Sequence, residues 1–116
     1  MQIELTTDQH VVADAELRAL VTARTEHLLA RFAPTLTRVV VRLTDANGDK
    51  GGRDDIHCAI EARPERRKPV GASHAAATVP AALDGALAKL ARTLGKARDK
   101  AVDHSRTPSM SEVASA

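Results

Sequence analysis

Leu83, Leu87, Leu90, Leu94, Ala97 and Ala101 recur with four-three spacing. Residues so spaced fall on one stripe of an α-helix. A long helix with one apolar face must lay that face on a partner layer, and the rest of the chain has to supply it. Thr78 is placed to cap this helix, with Pro80 tolerated in its first turn because those amides have no partner inside the helix.

The partner layer is legible as alternation. In Thr37–Thr44, Val39, Val41 and Leu43 share one side, while Arg38, Val40 and Arg42 share the other; this is strand periodicity. Gln2–Thr6 and Asp55–Arg63 alternate in the same way, and Val70–Ala76 reads as a weaker edge strand. Asp14 can cap a first helix over Ala15–Phe32, with Leu17, Leu20, Val21, Leu28 and Phe32 inward and Pro34 just beyond its end. Arg24 and Thr25 interrupt that stripe. Residues 45–54 form a glycine-rich polar loop, and 64–69 a charged turn.

The order β-α-β-β-β-α predicts an α+β fold. It is a four-stranded sheet with two helices packed on one face. A helical crossover makes the first two strands parallel neighbours, and the later strands form an antiparallel meander. At 116 residues the chain makes one domain, expected over residues 1–102 and followed by a flexible tail, 103–116. No apolar run approaches the roughly 20 residues of a membrane helix, and the N-terminus lacks signal-peptide character. A cytoplasmic protein is expected.

Composition removes several chemistries. Cys58 is the single cysteine, so no internal disulfide or cysteine-based zinc site can form. Cys58 reads as a small core residue. Phe32 is the single aromatic of the Phe, Tyr and Trp set, so the paired sheet aromatics of an RNA-recognition motif are absent. The five histidines contain no close metal pair; His57 and His74 could approach each other only from adjacent strands. Asp45, Asn47 and Asp49 start like a calcium loop, but Lys50 and Ile56 stand where glycine and a bidentate glutamate are needed. No phosphate-loop ending follows Gly48, Gly51 and Gly52. No catalytic residues, cofactor, metal or small-molecule substrate is expected.

Charge is more informative by position than in total. The net charge is +2, yet residues 61–106 hold ten Lys/Arg against five Asp/Glu. Within the second helix, Lys89, Arg92, Lys96 and Lys100 are spaced three, four and four. They form one stripe far round from the leucines, about 16 Å long at 1.5 Å per residue. A row of cations suits a polyanion backbone; a solvated helix face gives the same pattern.

Three segments together resemble the ribosome hibernation-promoting factor family, also called ribosome-associated inhibitor or sigma-54 modulation proteins. Ala15–Arg18 through Leu28–Phe32 looks like the family's first helix with its closing aromatic. Thr37–Leu43 is similar to its second strand. Ala82-Leu83-Asp84-Gly85-Ala86-Leu87-Ala88-Lys89-Leu90, continuing to Lys96, resembles its alanine-isoleucine-aspartate helix, and His74-Ala75 falls where the family often has that pair. Pro80 and Gly95 depart from the pattern.

The resemblance implies a fold related to double-stranded-RNA-binding domains. It implies binding to rRNA in the mRNA/tRNA channel of the small ribosomal subunit, with translation inhibited under stress. Lys89, Arg92 and Lys96 match the family's basic stripe, Arg98 and Lys100 extend it, and Arg24 and Arg31 approximate first-helix basic positions. The chain corresponds to a short family form, expected to be monomeric off the ribosome and unable by itself to join two ribosomes. The alternative is a protein-interaction module on the same fold that no longer binds ribosomes; a small enzyme or metal protein around His57 and His74 is a third reading.

Overall fold

The computed structural model describes residues 1–46 and 55–105, with side chains as far as Lys96 in the last helix. Strand β1 (Gln2–Thr7) leads into helix α1 (Ala15–Leu28), a 3-10 turn (Ala30–Thr35), strands β2 (Leu36–Asp45), β3 (Ile56–Pro64) and β4 (Val70–Ala76), and helix α2 (Val79–Ser105). The glycine-rich stretch from Asn47 to Asp54 and the expected tail beyond Ser105 lie outside the described residues; residues 103–105, expected as the start of that tail, are the last of α2.

The sheet order is β1-β2-β3-β4. β1 runs parallel to β2, and β2–β3 and β3–β4 are antiparallel, as the element order demands. Val39, Val41, Leu43, Cys58, Ile60 and Ala62 are buried on one face, under Leu83, Leu87, Leu90 and Leu94 of α2. Alternation and the four-three repeat therefore meet in one core. Among the described residues, no helix is long and apolar enough to cross a membrane.

The caps are the expected ones. Asp14 accepts the Leu17 amide at 2.8 Å, and Thr78 Oγ1 accepts that of Ala81 at 3.3 Å. The end of α1 differs from the sequence pattern. It stops at Leu28, and the chain tightens into the 3-10 turn, with the Phe32 amide donating to Leu29 O at 2.9 Å. Pro34 has no amide to continue an α-helix and disfavours helical backbone at the residue before it. The tighter winding still buries Phe32, at 3% exposure.

Strand register corrects a second expectation. His57 pairs with Ala75, and Cys58 with His74. Residues opposite one another share a face, so His74 lies on the helix side and His57 on the open side. The two histidines cannot approach each other. An ideal Cβ on Gly85 would overlap the His74 ring. That imidazole therefore fits beneath α2 only because residue 85 is glycine.

Candidate nucleic-acid interface

The buried leucines fix the rotation of α2 and turn Lys89, Arg92 and Lys96 to solvent. Lys89 Nζ donates to the carbonyl of Ser73 at 3.1 Å, reaching the outer edge of β4. Arg92 and Lys96 take part in no ion pair among the described residues. Arg98 and Lys100 lie on the same helix, in the segment whose side chains are outside the described set.

Elsewhere, Arg24, Arg38 and Arg63 are held in ion pairs. Arg38 donates from Nε and Nη2 to the two carboxylate oxygens of Glu4, both at 2.8 Å. That hydrogen bonding holds the Glu4 carboxyl below its usual range. Arg63 pairs with Glu61 at 3.3 Å. The open sheet face thus carries two matched pairs, whereas Arg92 and Lys96 on α2 have no ion-pair partner among the described residues.

The two arginines near the first helix take different positions. Arg24 Nη1 lies 2.8 Å from Asp84 Oδ2, bracing α1 against α2. Its charge is matched by Asp84 in an exposed pair between the helices and does not extend the row. Arg31 falls in the 3-10 turn; its guanidinium carbon sits 4.6 Å from the centroid of the Phe32 ring. A Cβ on Gly95 would lie 3.0 Å from Arg31 Nη2. Gly95 therefore makes room for Arg31 at the level of Lys96 along α2.

Sequence reasoning left Arg67 and Lys68 in a turn. The structure places both, with Arg31, around a cavity of about 560 Å³ between the 3-10 turn, the β3–β4 connection and α2. The run Glu65-Arg66-Arg67-Lys68 was the only local signal; its convergence on Arg31 is tertiary. Among the described residues, no three His, Cys, Asp or Glu side chains gather as a metal cage. Burial pushes the Cys58 thiol up to about 12, which removes it as a nucleophile at neutral pH.

A mixed four-stranded sheet, covered on one face by two helices and carrying a solvent-facing cationic row, defines a small α+β domain. The same architecture is found in the Thermus thermophilus Protein Y N-terminal domain. That likeness has a TM-score of 0.67 and 18% identity, over 83% of this chain and 98% of that one. A ribosomal subunit interface protein from Coxiella burnetii matches with the same TM-score and identity, over 85% and 99% of the two chains. At these identities the likeness establishes the fold. No curated protein sequence matches the chain. The family model for Sigma 54 modulation protein / S30EA ribosomal protein matches residues 5–102, and the chain belongs to that family. The family is one of non-enzymatic, ribosome-associated proteins.

Proposed function

We propose that the protein is a hibernation factor that occupies the mRNA/tRNA channel of the small ribosomal subunit and blocks initiation by occlusion. Lys89, Arg92 and Lys96 neutralise rRNA phosphates, Lys100 continues the row, Arg98 adds a cation about 200° round the helix from Lys96, and no bond is made or broken. Arg31 adds a contact beside Gly95, while Arg24 serves mainly as the brace to Asp84. The protein acts in the cytoplasm as a monomer, with residues 1–102 as the binding domain. The observation that carries this reading is the exposed row Lys89, Arg92 and Lys96, without ion-pair partners among the described residues, in a chain of this family.

The test is co-sedimentation with purified small subunits across a salt series. Binding is expected to weaken steeply with salt, each phosphate contact contributing roughly 0.7–0.9 to the slope of log K against log salt. Lys89→Glu/Arg92→Glu/Lys96→Glu should abolish pelleting with an unchanged circular dichroism spectrum. Retained binding by the triple variant overturns the site. No pelleting of the parent protein at low salt overturns the function in favour of an interaction module, whose partners should then survive nuclease and high salt.

A further inference from the structure

The cavity beside Arg31 has a composition that the cationic row does not explain. Its floor is apolar, from Phe32, Val70 and Leu94, and Pro34 and Pro69 stiffen its walls. Arg31, Arg67 and Lys68 rim it, against the one carboxylate of Glu65. Three cations around an apolar hollow fit an anion with an apolar body. About 560 Å³ lies within the roughly 300–1,000 Å³ of small-ligand sites and far exceeds a bare phosphate.

The rim is held in place. The Glu65 amide donates to Thr35 O at 2.7 Å, tying the β3–β4 connection to the 3-10 turn. The Arg31 guanidinium carbon lies 4.6 Å from the Phe32 centroid, and its Nη2 is 3.0 Å from where a Cβ on Gly95 would stand. A guanidinium is planar, and RNA bases stack on arginine planes.

Two locally unfavourable choices are sequence neighbours of residues that line the cavity, Gly95 after Leu94 and Arg66 between Glu65 and Arg67. Gly95 costs about 1 kcal/mol relative to alanine inside a helix. Arg66 has a φ of 61°, in the left-handed region that favours glycine. Sites where local rules are broken together are where function is expected to reside.

We infer that this cavity takes an unpaired nucleotide, its base stacked on the Arg31 guanidinium and its phosphate held at Lys68. The flat platform favours a nucleotide over an acidic peptide. Nucleotide chemistry at the cavity stands apart from the ribosome reading; an RNA strand as its source rests on that reading.

The experiment is an NMR titration of the isotopically labelled full chain. Adenosine 5′-monophosphate, inorganic phosphate, a short oligoadenylate and a glutamate-rich peptide are the parallel probes. The mononucleotide should give saturable shifts in the Phe32 ring and the Val70 and Leu94 methyls, and phosphate alone should leave that floor unmoved. Arg31→Ala and Lys68→Glu should each weaken the titration several-fold. Tighter binding of the oligoadenylate makes a strand the source, and equal binding makes it free mononucleotide; both support the site. Absent floor shifts, equal shifts from phosphate or peptide, or indifference to both substitutions overturns it. Floor shifts in a protein that fails to pellet with subunits would refute the ribosome reading alone. Pelleting without floor shifts would refute the cavity alone.

Discussion

Gly85→Ala is expected to have opposite effects depending on residue 74. An alanine Cβ at position 85 would sit 2.5 Å from His74 Cγ and closer still to Cδ2. Carbon atoms rest at about 3.5–4.0 Å, so the ring or the helix must move by an ångström or more. Overpacking of this kind costs about 1–3 kcal/mol. Replacing a helical glycine with alanine returns about 1 kcal/mol. With His74 present, Gly85→Ala should therefore destabilise by about 1 kcal/mol, a fall in Tm of about 4–8 °C for a domain of this size. With His74→Ala in the background the clash is gone, and the same substitution should stabilise by about 1 kcal/mol. Urea and thermal unfolding of the four proteins, followed by circular dichroism, read the coupling directly. A stabilising Gly85→Ala with His74 in place, or the same sign in both backgrounds, would refute the packing of His74 under α2.

Thr25 is fully buried and its hydroxyl has no hydrogen-bond partner among the described residues. Thr25→Val should raise stability by about 1 kcal/mol in urea unfolding; a loss of similar size would mean that the hydroxyl is satisfied. Asp14→Ala removes the side-chain cap on the Leu17 amide and should cost about 1 kcal/mol, with helicity lost from the first turn of α1. Cys58 should react with Ellman's reagent at pH 8 only as fast as the fold opens, and rapidly in urea; immediate labelling would contradict its burial. The ordinary thiol value is 9.0, and burial raises that of Cys58 to about 12. The unfolded chain therefore loses this proton first. The stabilising contribution is complete below the unfolded value and declines between about pH 9 and 12. Cys58→Ser should flatten that part of the stability profile.

Local pattern carried much of the fold. The alternation of Val39, Val41 and Leu43 and the four-three leucines each gave both an element type and its buried face. The Asp14 and Thr78 caps marked both helix starts, because capping is a contact between near neighbours. The end of α1 was less legible. Phe32 continues the helical stripe in sequence but reaches the core through a 3-10 turn, since Pro34 acts locally while burial acts through the tertiary structure. The two histidines lie on adjacent strands, as the sequence suggests, but on opposite faces. Placing two strands side by side does not set their register, and a one-residue shift moves every side chain to the other face.

The candidate interface divides in the same way. Spacing alone showed that Lys89, Arg92 and Lys96 share a helix face, because 100° per residue is a property of the backbone. Whether a cation is available depends on what lies across from it. Arg24 is sixty residues from Asp84, and nothing near either one announces their pairing. Gly95 looks like a defect until Arg31 is seen against it. The sequence by itself determined the elements, their faces and the cationic row, all set by periodicities and caps within a few residues. Tertiary structure decided which arginine is tied up, which histidine lies beneath a helix and where the rimmed cavity opens, because each depends on contacts between segments brought together only by burial of the shared core.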